Sequence, residues 1–178
     1  MHHEQLWAPW RLAYIKEPER AERAPAAPLL PEGDAACFIC RAAVEPERDR
    51  ENLVVWRAAE LLVILNRFPY NNGHLLVAPA RHRARLDQLD DEFHAQAMRT
   101  IAAAVRAIER AMNAEGFNIG LNLGRVAGAG LPGHLHWHVV PRWNGDTNFM
   151  PVMAGVDVIP QSLDAAWGVI RAALVAEQ

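Results

Sequence analysis

The amino-acid sequence predicts an α+β domain in which several antiparallel strands accompany one long helix. Short apolar or alternating runs between turn residues indicate the strands, and one apolar stripe at helical spacing indicates the helix. A chain of 178 residues is about one domain long and can bury a substantial core.

Three short apolar runs in the first half of the chain predict β-strands at Leu53–Arg57, Leu61–Asn66 and His74–Ala78. The segment FPYNNG separates the last two runs, and its proline, asparagines and glycine favour tight turns. We therefore expect these two strands to form a β-hairpin.

A long helix is predicted over Asp90–Glu115. Its apolar residues recur every three or four positions and form one stripe, which is typical of a helix packed on a core. They are Phe93, Ala97, Ile101, Val105, Ile108 and Met112. Asp87 or Asp90 can cap the start of the helix, and Gly116 stands where a C-terminal stop is expected.

The remaining segments flank these elements. Phe117–Gly124 alternates apolar side chains and predicts a strand, and Ser162–Ala176 predicts a C-terminal helix. The glycine-rich loop Val126–Gly133 suits a substrate whose oxygens approach backbone N–H groups, or it is a plain connection. Residues 1–16 form an aromatic arm, and residues 17–36 form a proline-rich loop.

The composition disfavours several classes of function. Hydrophobic residues make up 51% and charged residues 22% of the chain, which is typical of a globular protein. A net charge of −3 disfavours a partner that is a nucleic-acid polymer, and the basic cluster at residues 81–85 is interpreted as a solvated loop. The sequence lacks an apolar run of about 18 residues and a secretion signal, so we expect no membrane partner and a cytoplasmic location.

Three histidines at alternate positions, His134, His136 and His138, make GHLHWHVVPRW the most informative stretch of the chain. Apolar residues fill the gaps, so the segment is predicted to be a strand with the imidazoles on one face. The residues predicted to face the core are Leu135, Trp137 and Val139. Three titratable rings in one stripe indicate a functional site. They span roughly 13 Å along a flat strand, which disfavours a single metal ion bound by all three.

The two cysteines, Cys37 and Cys40 in CFIC, have three interpretations: a metal knuckle, a redox dithiol or coincidence. A redox dithiol is typical of a strand-to-helix junction, whereas this pair follows a proline- and alanine-rich stretch. A zinc site would need two more ligands, histidines or carboxylates, from far along the chain.

Five segments of the chain resemble parts of one protein family. They are HLHWHVV, NRFPYNNGHLLVAPARH, FNIGLNLG, PRWNGDTNFMPV and the arm LWAPWRLAYI. The first three resemble the signature, the hairpin and the strand before the signature in the histidine triad (HIT) superfamily. The last two resemble the subgroup that includes the diadenosine tetraphosphate phosphorylases (ATP adenylyltransferases). The resemblance extends from Leu6 to Pro160.

The resemblance implies an architecture more specific than the α+β class. It implies a five-stranded antiparallel sheet with one long helix, in a HIT domain over residues 37–160, and a homodimer. The N-terminal arm and loop occupy residues 1–36, and the C-terminal helix lies within residues 161–178.

The resemblance implies nucleotidyl transfer through a covalent intermediate on His136. A neutral imidazole would attack the α-phosphorus, which divides one hard displacement into two easier ones. The attacking nitrogen must be unprotonated, so we expect the other ring nitrogen to donate to a backbone carbonyl. His138 resembles the residue that contacts the phosphate oxygens, and His74 resembles a structural histidine of the hairpin.

The resemblance also implies contacts with the nucleoside. Asn66 is similar to the residue that holds the ribose, and Asn122 is expected to be a second contact. Leu65 and Phe68 are expected to line the base pocket. Each asparagine has a structural alternative, since Asn66 in particular can simply cap the end of a strand.

Contacts with the phosphate chain are less regular. Gly130 stands where many hydrolytic members carry Gln or Ser, so backbone N–H groups of the loop would have to replace that side chain. Asn148, together with Asp146, is expected near the acceptor. The structural alternative for these two is an Asx-type turn that redirects the chain.

The resemblance assigns a role to the cysteines. In zinc-bearing members a CxxC pair joins one histidine after the hairpin and the first histidine of the triad, here His82 and His134. With Cys37 and Cys40 they form a closed set suited to a structural Zn²⁺.

The predicted function is cleavage of dinucleoside polyphosphates. Inorganic phosphate as acceptor would make the enzyme a phosphorylase, water would make it a hydrolase, and cleavage of a P–N bond would make it a nucleoside phosphoramidase. A zinc-stabilised nucleotide-binding adaptor without turnover is the alternative from another class. Leu135 and Trp137 depart from the hexose-1-phosphate uridylyltransferase pattern, which disfavours that substrate class.

Overall fold

The computed structural model describes residues 27–154 and 158–177 of the chain. The predicted aromatic arm, residues 1–16, lies outside the described residues, as does part of the proline-rich loop. None of the helices in these two ranges combines the length and apolarity needed to cross a membrane.

Five strands form one antiparallel sheet, as predicted. They are β1 (Val54–Ala58), β2 (Leu61–Leu65), β3 (Leu75–Pro79), β4 (Gly116–Leu121) and β5 (Trp137–Arg142). Their order across the sheet is β1-β2-β3-β5-β4. Leu65 pairs with Leu75 across β2 and β3, which confirms the predicted hairpin around FPYNNG.

The described residues form four α-helices: α1 (Phe38–Ala43), α2 (Asp91–Met112), α3 (Met150–Ala154) and α4 (Leu163–Val175). The Asp90 side chain caps α2 by accepting from the Phe93 N–H at 2.8 Å. The helix ends earlier than predicted because Asn113 adopts the left-handed conformation, with φ 52°. Gly116 therefore begins β4, which ends at Leu121 rather than at Gly124.

The two faces of the sheet pack against different helices. On one face, the predicted stripe of α2 and one side of α4 join Trp137 and Val139 in the larger core. On the other face, Ile39 and Cys40 of the α1 segment pack against β2 and β3 residues that include Ile64 and Leu76. We name this second side the histidine face, because His138 pairs with Leu76 and cross-strand partners share a face.

The basic cluster after β3 is largely neutralised by acidic partners. Arg85 Nε lies 2.8 Å from an Asp87 carboxylate oxygen, and the Arg83 guanidinium pairs with Glu32. This is the solvated loop that was predicted, except that one member, His82, points toward the cysteines.

Candidate functional site

The triad is not one continuous strand, and this prediction is wrong for its first two histidines. The strand β5 begins only at Trp137, so His134 and His136 precede it. His134 lies in a turn in which its N–H donates to the Leu131 carbonyl at 3.3 Å. The turn swings the His134 ring away from the line of the other two, whose ring centroids lie 5.1 Å apart.

His136 has the proton arrangement that a nucleophile needs. Its Nδ1 lies 2.8 Å from the His134 carbonyl oxygen. Because a carbonyl oxygen only accepts hydrogen bonds, Nδ1 carries the proton and Nε2 keeps a lone pair. The carbonyl partner expected from the sequence is therefore present, and it comes from within the triad.

His138 is oriented by His74, the histidine predicted to be structural. The backbone N–H of Tyr70 donates to His74 Nδ1 at 3.1 Å, so His74 carries its proton on Nε2. That Nε2 lies 2.9 Å from His138 Nδ1, which therefore accepts. His138 is left with an Nε2–H group that can donate to a phosphate oxygen.

Burial favours the neutral form of the His74 and His138 rings. Burial, together with the nearby His138 and His136 rings, lowers the pKa of His74 from 6.5 to about 3. Burial also lowers the pKa of His138, and His136 adds to that effect. At neutral pH the donor and acceptor pattern set by the backbone therefore holds.

A second cluster joins the two cysteines to two histidines, as the resemblance implied. The ligand atoms of Cys37, Cys40, His82 and His134 all lie within 4.8 Å of one another. Cys37 Sγ is 3.3 Å from His134 Nδ1, and Cys40 Sγ is 3.2 Å from His82 Nδ1. Four such atoms at these distances can hold one metal ion.

The chemistry of the donors fits a metal. The His134 Nε2 lies 2.8 Å from the Pro79 carbonyl oxygen, which fixes its proton there and leaves Nδ1 as a ligand atom. Both thiols are buried and unpaired by a disulfide. Burial raises the pKa of Cys37 to about 12, so a cation is needed to stabilise the thiolate.

A family model described as the HIT domain matches residues 47–145. The chain belongs to the HIT domain family. Its AP-4-A phosphorylase relative from Mycobacterium tuberculosis (strain ATCC 25618 / H37Rv) is 40% identical over 162 residues, which is 90% of this chain and 78% of the relative. Adenosine 5'-monophosphoramidase hnt1 of Schizosaccharomyces pombe is 29% identical over 104 residues, 58% of this chain and 74% of that protein.

Solved HIT structures share the fold. A Zn-bound histidine triad family protein from Mycobacterium smegmatis superposes with a TM-score of 0.58 at 29% identity. The match covers 70% of this chain and 84% of that one.

Asn66 lies at the edge of the histidine cluster. Its Nδ2 is 3.2 Å from His74 Nδ1, and its Oδ1 accepts from the Phe68 N–H at 3.0 Å. Phe68 follows with an exposed ring. Asn66 therefore lies beside the histidine cluster, and Phe68 follows it in the loop after β2.

Leu65 was expected to line the base pocket, but it does not lie on the histidine face. It is only 1% exposed and belongs to the core on the opposite face of the sheet. The reason is the alternation of side chains along β2, which places Ile64 on the histidine face instead.

The glycine-rich loop places two further predicted residues. Asn122 is half-buried, and its Nδ2 lies 4.0 Å from the position that a Cβ on Gly128 would occupy. Gly130 is exposed, and apart from its own atoms and its two chain neighbours no described residue comes within 4 Å of its Cβ position. Room for substrate oxygens therefore exists beside the Gly130 backbone.

Asp146 and Asn148 take the turn-forming role that was their structural alternative. Asp146 accepts from Arg142 Nε at 2.6 Å and from Asn71 Nδ2 at 2.8 Å. The Arg142 hydrogen bond lowers the pKa of Asp146 to about 2. Asn148 Oδ1 accepts from the Met150 N–H at 2.8 Å and caps α3.

Tyr70 and Arg142 were not singled out from the sequence. Tyr70 stacks on His138 with ring centroids 5.8 Å apart. Arg142 follows His138 at the fourth position of the same strand, so the alternation of β5 was a signal that could have identified it. No local signal pointed to Tyr70, because the hairpin turn brings it to β5 from a distant part of the chain.

Proposed function

We propose that this chain cleaves dinucleoside polyphosphates by nucleotidyl transfer through His136, in the manner of an AP-4-A phosphorylase. The observation that carries the proposal is the His136 ring, with Nδ1–H directed at the His134 carbonyl and Nε2 left as the nucleophile. The 40% identity to the mycobacterial AP-4-A phosphorylase supports the substrate class.

In the first step, the lone pair of His136 Nε2 forms a bond to the α-phosphorus of the substrate. The bond between that phosphorus and the bridging oxygen breaks, and the leaving nucleotide keeps the electron pair. His138 Nε2–H donates to a phosphoryl oxygen, which stabilises the charge that develops there. Asn66 would hold the ribose, with Asn122 as a second contact to it and Phe68 at the base.

In the second step, an acceptor attacks the nucleotidyl-histidine from the side that the leaving nucleotide has vacated. Its oxygen forms the new bond to phosphorus, and His136 Nε2 recovers its lone pair. With diadenosine tetraphosphate and inorganic phosphate the products are ATP and ADP. Backbone N–H groups around Gly130 are the donors that we assign to the phosphate chain.

We infer that the cluster of two cysteines and two histidines, named here the metal cluster, binds a structural Zn²⁺ through Cys37, Cys40, His82 and His134. Two thiolates and two imidazoles form a closed tetrahedral set with no position left for substrate. Bound there, the ion would tie the α1 segment to the end of β3 and to the triad turn. The Zn-bound mycobacterial HIT structure supports this assignment.

Nucleoside phosphoramidase activity is the second candidate, and the similarity to the fission-yeast monophosphoramidase favours it. A phosphoramidase would use the same attack by His136, but the bond that breaks would be a P–N bond instead of a P–O bond. An adaptor without turnover would have no need for the hydrogen bonds that orient the rings of His136 and His138.

Product analysis separates these functions. Diadenosine tetraphosphate is incubated with the protein, with and without inorganic phosphate, and the nucleotides are separated by chromatography. We expect ADP and ATP only when phosphate is present. AMP and ATP regardless of phosphate would identify a hydrolase, and release of AMP from adenosine 5′-phosphoramidate alone would identify a phosphoramidase.

A further inference from the structure

A cavity of about 270 Å³ lies next to His138, on the histidine face. Its lining includes Tyr70, Asn71, Asn118, Val140, Arg142 and Asn148. Asn118 and Val140 pair across β4 and β5, so the sheet itself forms one wall. The Tyr70 ring forms another wall. Because this ring stacks on His138, the cavity lies directly beside the histidine assigned to the phosphate.

The cavity is polar but does not have the excess positive charge of an anion-binding site. Arg142 is its one basic group among the described lining residues, and its guanidinium makes a two-point contact with the Asp146 carboxylate, at 2.6 and 2.9 Å. A third guanidinium nitrogen donates to Asn118 Oδ1 at 2.9 Å. The charge of Arg142 is therefore compensated by Asp146, so the pair offers little net attraction to an incoming phosphate.

Uncharged groups supply the rest of the surface. Because Asn118 Oδ1 accepts from Arg142, the amide nitrogen of Asn118 remains to donate to a ligand. Val140 adds an apolar patch. Tyr70, which is 61% exposed, presents its aromatic ring. This surface suits a nucleoside. Its amides can hydrogen-bond to the base and the sugar, and its apolar patch and exposed aromatic ring can pack against the base.

We propose that this cavity binds the leaving nucleoside of a dinucleoside polyphosphate, the half that departs when His136 attacks. The inference rests on the proposed function and adds to it a second nucleoside site, built from Tyr70, Asn118 and Val140. It also reassigns the Asp146 region, since this region shapes the site for the leaving half rather than holding the acceptor phosphate.

The test compares two substrates that share one half. Diadenosine tetraphosphate has a leaving nucleoside, whereas adenosine 5′-phosphoramidate has none. We expect Asn118→Ala to lower kcat/KM about tenfold for the first and to leave it unchanged for the second. Asn72→Ala is the matched control, because Asn72 lies in the Tyr70 loop but bonds to Gln161, at 3.2 Å, outside the cavity. The mass of each variant in solution is measured alongside.

Binding decides the question independently of turnover. In a His136→Asn background, we expect calorimetry to show diadenosine tetraphosphate binding at least about tenfold more tightly than AMP, and Asn118→Ala to remove that difference. Equal affinities for the two ligands, or an equal loss for both, would overturn the second nucleoside site. If the parent protein turned over neither substrate, the proposed function would fail, while this comparison of affinities would still stand.

Discussion

Backbone groups set the direction of each proton at the centre of the site. The His134 carbonyl accepts from His136, and the Tyr70 N–H donates to His74, which in turn donates to His138. A carbonyl never donates and an amide N–H never accepts, so neither ring can reverse its role without losing a hydrogen bond. A buried polar group left unpaired costs about 1–3 kcal/mol, which is enough to hold one tautomer.

Replacing the nucleophile should separate binding from chemistry. We expect His136→Asn to lower turnover of diadenosine tetraphosphate by a thousandfold or more, since the variant lacks the imidazole Nε2 that would attack the phosphorus. Affinity measured by calorimetry should stay within about threefold, because contacts of the nucleoside remain. His94→Asn is the control, since His94 lies on α2 and its Nε2 bonds to the Leu86 carbonyl, away from the site. Parent-like turnover in His136→Asn would exclude the covalent mechanism.

The buried His74 ring should make stability depend on pH. Its folded pKa of about 3 lies below the ordinary 6.5, so the unfolded chain takes up a proton first as the pH falls. The contribution of His74 to the free energy of unfolding is therefore complete above pH 6.5. It is lost as the pH falls below 6.5, by up to roughly 1.4 kcal/mol per pH unit. Urea unfolding at pH 7.5 and 5 should show a smaller loss for His74→Gln than for the parent. Equal losses would show that His74 is not held neutral.

The roles of individual residues are predictable from the sequence only where a pattern marks them. Alternation identifies His136 and His138, and the CxxC pair marks Cys37 and Cys40. The placement of Leu65 is not predictable, because β2 reads LLVIL and is buried on both faces, so no polar residue tells one face from the other.

At the scale of elements, the turn before β5 links the metal cluster to the nucleophile. The side chain of His134 belongs to the cluster, while its carbonyl holds the His136 ring. The helix α2 and the hairpin are predictable from the sequence because caps, stripes and turn residues are local signals. The late start of β5 is not, since the histidines obey strand alternation while the His134 side chain contacts Cys37, which is distant in the sequence.

Loss of the metal should therefore impair both stability and turnover. We expect Cys40→Ser to reduce bound zinc from about one ion per chain, to lower the melting temperature by roughly 5–10 °C and to decrease kcat. The decrease in kcat follows because the His134 carbonyl shifts once its side chain is released. Ala43→Ser, a half-buried change on the same helix, should alter none of these values. Unchanged stability after complete metal removal would contradict a structural role.

At the scale of the whole molecule, the two edges of the sheet differ. The helix α4 packs against β1, whereas Asn118, Ile119 and Gly120 of the other edge strand, β4, are exposed. An exposed edge with apolar side chains is a template for pairing with another strand. Ile119 on this edge is 48% exposed, which makes the edge the surface where a second copy would add its own β4.

We accordingly expect a homodimer formed through β4, with a mass in solution twice the 19.8 kDa of one chain. Ile119→Lys places a charge on the edge and should shift light-scattering mass toward the monomer, because strand pairing would bury an unpaired ammonium. Val126→Lys is the matched control, since Val126 is fully exposed in the loop after β4 and should leave the dimer intact. If Ile119→Lys remained as dimeric as the parent, or the parent itself were monomeric, the β4 edge would not be the interface.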